Sequence, residues 1–349
     1  MNKNDYKSTL HACYLGYITQ ALIVNLPPLL FVVFRDKFGL SYTMLGSVVM
    51  LIFITQLIVD ALAIKFVDKI GQRMSAVIAH AFAAVGMIAL AFLPRVMPSA
   101  FMGIIIANIL YSIGGGLIEV LVSPIVERLP GDAKASSMSL LHSFYSWGQV
   151  LVIVVSTVTL LFVGQDLWYY LPLLWSVLPL FTLFKFARVP IMPREEKNNR
   201  MPLKTLFQSK IFLMAFLLMV CSGASEQSMA QWASIFAEKG LGISKTLGDL
   251  LGPCLFAAMM GIVRTWYGIK GQTININNVL IVCSALCIVS FIITAIVPIP
   301  AISLLGCALC GFSVSLMWPG MLSMTAAGYP SGGVAMFAIL ALGGDLGCS

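Results

Sequence analysis

Glu119 lies in the apolar run GGGLIEVLVSP, and the nearest basic residue along the chain is Arg128. An ionised carboxylate at the centre of a bilayer costs about 2.5–3.5 kcal/mol on insertion scales, and such residues usually face a bundle interior or a water-filled cavity. A neutral Glu119 costs less, so a carboxyl that gains and loses a proton is the economical chemistry. His142, Tyr145 and Gln149 follow in the next apolar run at i, i+3 and i+7, one face of a helix. Glu226, Gln227 and Gln231 share a face of a later run, while Gln20 and Asn25 are polar groups of the first. Such side chains both donate and accept hydrogen bonds, which suits a hydroxyl-rich solute. Tyr145, Trp232 and Trp318 offer aromatic faces for a sugar ring or another flat apolar surface. We read these residues as a binding site for something that crosses a membrane. The plainer alternative for each acid is an interhelical hydrogen bond, and for each tryptophan packing or an interface belt. His80 reads as structural, and Asp60, with Gln56 four residues before it, is assigned to a gate.

The elements that position these groups must be membrane helices. The 349 residues are 59% hydrophobic and 10% charged, against about 25% charged in soluble domains. At about 20 residues per span the apolar runs fall near 8–34, 41–66, 74–93, 99–128, 136–163, 167–186, 209–237, 246–267, 278–297, 300–328 and 333–349. Pro27, Pro28, Pro124, Pro253 and Pro319 lie inside these runs and mark bends. Sixteen Lys and Arg fall in one set of loops, with Arg264 counted among them, and five in the other. The positive-inside rule then places the N-terminus in the cytoplasm. The net charge of +7 sits in membrane loops, so nucleic acid is a poor partner. The eight cysteines lie in apolar runs and read as packing residues.

The polar, proline-containing stretch after the sixth run divides the chain. Residues 1–187 read as a six-helix bundle, 188–208 as a cytoplasmic linker and 209–349 as a second bundle that stops in its eleventh helix. The halves echo each other: Gly39-Leu-Ser-Tyr-Thr43 resembles Gly242-Ile-Ser-Lys-Thr246, and Gly116 and Gly311 each precede a proline by eight residues. A duplicated bundle places its site at the interface between halves.

Two motifs carry a family resemblance. Asp68-Lys69-Ile70-Gly71-Gln72-Arg73, between the second and third runs, resembles the loop motif G-x-x-x-D-[RK]-x-G-[RK]-[RK] of the major facilitator superfamily. Asp68, Lys69, Gly71 and Arg73 match; Ile64 and Gln72 depart from it. Glu119-Val-Leu-Val-Ser123-Pro124 resembles the E-x-x-x-N-P of the fucose-permease-like branch, with Ser123 in place of asparagine. Gly223, Glu226 and Trp232, and Ser315-Leu-Met-Trp318-Pro319, also resemble that branch. The resemblance implies an all-α, two-bundle fold of which about eleven of twelve helices are present, and about 30–50 further residues to finish it. It implies a cytoplasmic gate at Asp68, Lys69, Gly71 and Arg73, with Asp68 capping a neighbouring helix. Proton-coupled members carry an acid in the first helix, which this chain lacks, so Glu226 stands as the second titratable group beside Glu119.

The expected function is secondary active transport of a small polar solute, a sugar first, by alternating access in the plasma membrane, with the proton as coupling partner. The chain reads as a monomer in the lipid bilayer with no cofactor and no metal. The alternatives are a proton-linked exporter of drug-like or metabolite molecules, and a non-transporting membrane sensor. No Gly-x4-Gly-Lys-[Ser/Thr] loop or His-Glu-x-x-His spacing is present, which argues against nucleotide-driven pumping and metal hydrolysis.

Overall fold

A computed structural model describes residues 6–130, 134–192, 203–271, 274–297 and 299–349. The chain is helical throughout the described residues. α1 (Lys7–Leu29) runs into α2 (Phe31–Phe38) through a 42° bend. Pro27 and Pro28 close α1, and a proline lacks an N–H while its ring pushes away the carbonyl four residues back. The bend therefore falls where the sequence placed it. Then come α3 (Tyr42–Ile70), α4 (Gln72–Val96), α5 (Ala100–Arg128), α6 (Lys134–Val163), α7 (Tyr170–Arg188) and the short α8 (Leu203–Gln208). α9 (Lys210–Ile235) ends in a wide turn over Phe236–Gly240. α10 (Lys245–Asp249) joins α11 (Leu255–Lys270) through a π-helical turn, Leu250–Cys254, that contains Pro253. α12 (Ile276–Ile296), α13 (Pro300–Val314), α14 (Met317–Gly328) and α15 (Gly333–Cys348) complete the chain.

Among the described residues nine helical runs are long and apolar enough to cross a membrane, and the bent α1–α2 pair makes a tenth. α15 is shorter. Ten of the eleven expected spans correspond to these runs, and the eleventh, 333–349, to the shorter α15. α3 shows how the sequence sorts its faces. Met50, Ile54, Ile58 and Leu62, one turn apart, are exposed, while Phe53, Gln56 and Asp60 are buried. An apolar outer face and a polar inner one is the pattern a bilayer demands.

Close helix approach depends on small residues. A side chain at Gly86 of α4 would meet the Tyr111 backbone of α5 at 2.3 Å, and one at Gly311 of α13 would meet the Phe256 carbonyl of α11 at 2.1 Å. The echo between halves is also visible: Gly39 and Gly242 take left-handed φ values of 64° and 68°, each just before the Ser41 and Ser244 caps of the next helix.

Contacts fix the two ends of the bundle. At the end where α1 begins, the Thr9 hydroxyl donates to the Pro190 carbonyl, Arg73 Nη1 donates to the Ala187 carbonyl at 3.2 Å, and Ser209 bonds Tyr329. At the opposite end Lys37 pairs with Asp166, and Arg95 lies 3.9 Å over the Tyr169 ring. Asp166 is exposed, and the hydrogen-bonded Lys37 ammonium holds its carboxyl below the ordinary value.

Candidate functional site

α1, α3, α5, α6, α9, α11, α14 and α15 converge on a narrow central cavity of about 50 Å³. Glu119 enters it from α5, and its Oε2 accepts a hydrogen bond from Gln20 Nε2 of α1 at 3.0 Å. Beside it the Tyr17 hydroxyl bonds Ser123 Oγ at 2.7 Å and His142 Nε2 at 3.2 Å. Ser123, the residue that departs from the motif's asparagine, thus keeps a polar role: through Tyr17 it links α5 to α6. Tyr145, one turn on from His142, is in hydrogen-bonding reach of Gln227 and Asn25.

Across the cavity Glu226 Oε2 accepts from Arg264 Nη2 of α11 at 3.0 Å, and Arg264 is 1% exposed. The same guanidinium donates to Ser146 Oγ at 2.9 Å, to the His142 carbonyl at 3.4 Å and, through Nε, to the Ser315 carbonyl at 2.7 Å. The last bond has a local cause. Pro319 has no N–H to give to the carbonyl four residues back, which is Ser315, and a freed carbonyl at membrane depth needs another donor. Gln231 solves the equivalent problem at α1. Pro28 leaves the Val24 carbonyl free, and Gln231 Nε2 donates to it at 3.3 Å and to Gln227 Oε1 at 3.0 Å.

Several expectations need revision. Arg264 was counted as a loop cation; it is buried in the cavity wall, because Glu226 and the Ser315 carbonyl both need a donor there. Glu226, expected as a second titratable group, is ion-paired with Arg264. Of the residues expected to bind solute, Gln20, Glu119, His142, Tyr145, Glu226, Gln227 and Trp318 line the cavity. Asn25, Gln149, Gln231 and Trp232 do not. Asn25 Nδ2 donates to the Ala21 carbonyl at 2.9 Å. Gln149 is buried two turns beyond His142. Trp232 is partly exposed, with its ring 6.4 Å from Phe31. Asp345, not among the residues expected from the sequence, also lines the cavity, with Tyr17, Gln56 and Cys348. Asp60 is fully buried in α3, one turn beyond the cavity-lining Gln56.

At the expected gate Gly71 takes φ 87° between α3 and α4, Lys69 is exposed, and Arg73 caps the last turn of α7 through Ala187. The Asp68 side chain lies outside the described residues, as do residues 193–202 of the linker. A wider cavity of about 500 Å³ opens at the end where α5 and α14 finish, lined by Pro124, Glu127, Ala326, Tyr329 and Met336.

Residues 13–349 match the family model described as the Major Facilitator Superfamily. No curated protein sequence matches the chain. Among solved structures, it is similar to the E. coli proton:xylose symporter XylE bound to 6-bromo-6-deoxy-D-glucose, with a TM-score of 0.85, 15% identity, and coverage of 100% of this chain and 87% of that one. The E. coli fucose:proton symporter FucP gives 0.76 and 13%, over 99% and 90% of the chains. The nucleoside transporter NupG gives 0.70 and 13%, over 98% and 89%. At these identities the likeness is one of fold.

Proposed function

Because this chain belongs to the major facilitator superfamily, we propose that it moves a small polar solute, a sugar first, across the membrane with protons, by alternating access of two bundles around the central cavity. The observation that carries this reading is the Glu119 carboxyl. It is held by a neutral amide, Gln20, with no cation bonded to it among the described residues, whereas Glu226 across the cavity has Arg264. A carboxyl without a counterion in a confined, low-dielectric site is stable when protonated and becomes charged only when the site opens to bulk water or a new donor arrives. Solute hydroxyls are such donors. Glu119, Gln20, His142 and Gln227 would bind them, Trp318 would stack on the ring, and Glu226 with Arg264 would present a fixed dipole to the far side.

At about 50 Å³ the cavity holds a few waters, far below the roughly 300 Å³ at which ligand pockets begin. The bundles must part to admit a sugar, as alternating access requires. In this reading residues 1–187 and 209–349 are the moving bodies and 188–208 the cytoplasmic linker. The N-terminus and the 500 Å³ cavity then face the cytoplasm, and a monomer in the plasma membrane suffices.

The test is a melting-temperature screen of purified protein against sugars and amphipathic drugs, followed by uptake into proteoliposomes under an imposed pH gradient. A sugar that raises the melting temperature of wild type and accumulates with the gradient, but does neither in Glu119→Gln, supports the reading. Gradient-driven accumulation that survives Glu119→Gln removes Glu119 from the coupling step. A second reading, export of drug-like or metabolite molecules, draws on Val24, Phe53 and Trp318, which form an apolar wall. A melting shift with apolar cations and none with sugars would favour it.

A further inference from the structure

Behind Glu119 lies a group of polar atoms that the solute site does not use. Asp60 of α3 is 0% exposed and both its carboxylate oxygens lack a hydrogen-bond partner. Asp345 of α15 is 1% exposed and its Oδ2 lacks one. The two carboxyls are within electrostatic reach of each other and of Glu119. Gln56, one turn before Asp60, is fully buried, lines the cavity with Glu119 and Asp345, and has neither amide atom paired. A buried polar group without a partner costs about 1–3 kcal/mol, and unpaired ionised carboxylates cost more. Five such atoms on two facing helices call for a shared ligand.

The charges around them narrow its identity. α5 presents Glu119, and α15 presents Asp345 and Cys348. On the far wall Glu226 of α9 and Arg264 of α11 neutralise each other, and the polar groups of α1 and α6 there are Tyr17, His142 and Tyr145. The α4 histidine, His80, turns to α7, with its ring 5.1 Å from Phe186. Among the described residues no basic side chain is bonded to Asp60 or Asp345, and no three of His, Cys, Asp or Glu are grouped closely enough to hold a metal ion. A proton fits. Two carboxylates sharing a low-dielectric site cannot both stay ionised, and an acid proton gives the pair a donor of its own beside the Gln56 amide.

We infer that Asp60 and Asp345 form a second proton-binding site, on the wall where α3 of the first half meets α15 of the second. It is occupied while these helices are packed and loses its proton to water when they part. The inference rests on the alternating-access reading but not on Glu119 as the coupling residue. It ties the position of the two halves to proton binding whether or not solute is present.

Infrared spectroscopy of the chain in lipid nanodiscs tests this, by following the C=O stretch of protonated carboxyls from about pH 5 to about pH 9, where buried acids titrate. Wild type is expected to keep a protonated band at neutral pH. Asp60→Asn and Asp345→Asn should each lose part of it, and Glu119→Gln should retain the part those variants lose. Asparagine preserves the shape of a neutral acid, so the variants should fold. Alkaline loss of the band should accompany faster maleimide labelling of Cys348, read by peptide mass spectrometry, in wild type but not in the double asparagine variant. A band unchanged in both asparagine variants, one abolished by Glu119→Gln, or equal Cys348 labelling in wild type and double variant overturns the inference. Failure of the solute reading would appear separately, as uptake indifferent to Glu119→Gln.

Discussion

Replacing Arg264 with methionine removes the only cation bonded to Glu226 among the described residues, and its cost can be worked from the contacts. The guanidinium is fully enclosed and donates to four oxygens at 2.7–3.4 Å, on α6, on α9 and on the Ser315 carbonyl that Pro319 leaves open. Hydrogen bonds between membrane helices contribute about 0.6 kcal/mol on average, and 1.7 at most. The bonds alone would therefore make Arg264→Met a mild change. Leaving Glu226 buried without its partner is the larger effect, about 3–5 kcal/mol for half of a buried ion pair. At roughly 2–4 °C per kcal/mol, the melting temperature should fall on the order of 10 °C. The double variant Arg264→Met with Glu226→Gln should recover most of that, because exchanging both members of a buried pair for neutral groups of similar size is often neutral. The assay is scanning fluorimetry of wild type, the two single variants and the double variant in one detergent. Equal melting of Arg264→Met and the double variant would refute the charge argument, and a single variant that melts like wild type would refute the pair itself.

Gly344→Ala should lower the melting temperature, because the new Cβ would sit 2.0 Å from the Trp318 ring; overpacking of this kind costs about 1–3 kcal/mol, and Trp318→Phe in the same chain should restore part of it. Asp249→Asn should speed maleimide labelling of the half-buried Cys254 nearby, because it cuts the Asp249–Lys245 pair and weakens the bonds to Ser234 and Thr157; an unchanged rate would mean that this end is not held by Asp249. The Lys37–Asp166 pair gives a pH signature. The folded Asp166 carboxyl lies below its ordinary value because of Lys37, so its small stabilisation is present at neutral pH and fades as pH falls through the lowered value. Lys37→Met or high salt should erase that acid-side component of melting, and persistence in both would assign it elsewhere.

The helices were legible because all the apolar runs but the last are long enough to cross a bilayer, and the proline bend at Pro27-Pro28 and the glycine turns before Ser41 and Ser244 have purely local causes. Glu119, Gln20 and His142 were legible because polar side chains in apolar runs must face inward. Depth along a helix was harder. Trp232 lies six residues beyond Glu226, about 120° around α9 as well as about 9 Å along it, so it meets Phe31 instead of the cavity. Tyr17 and Phe53 gave no signal, since an aromatic residue in an apolar run looks the same whether it packs or lines a site. Arg264 could have been found. It stands inside the run 246–267, and a buried Glu226 needs a counterion. Counting it as a loop charge hid the match, though the charge bias between the two sets of loops does not depend on it.

Among the described residues the polar contacts between α1–α7 and α9–α15 include Ser139 on the Arg264 carbonyl and Trp147 on Thr265, and the chemistry of the others bears on the proposed opening of the cavity. Away from the 500 Å³ cavity, α9 and α10 are held to α1 and α6 by Gln231 on the Val24 carbonyl and by Asp249 on Thr157. Neither contact is part of a helix ladder. Val24 offers a carbonyl that Pro28 had already freed, and Asp249 keeps Lys245 and Ser234, from its own side, when Thr157 leaves. Water can replace the lost partner in each case at little cost, so parting the halves there breaks no helical bond and strands no charge. Arg264 is different. Its contacts to Ser146 and the His142 carbonyl cross to α6, but its ion pair with Glu226 and its bond to Ser315 remain within the second group of helices. The guanidinium can therefore exchange its α6 partners for water while its charge stays compensated, as the proposed alternating access would require.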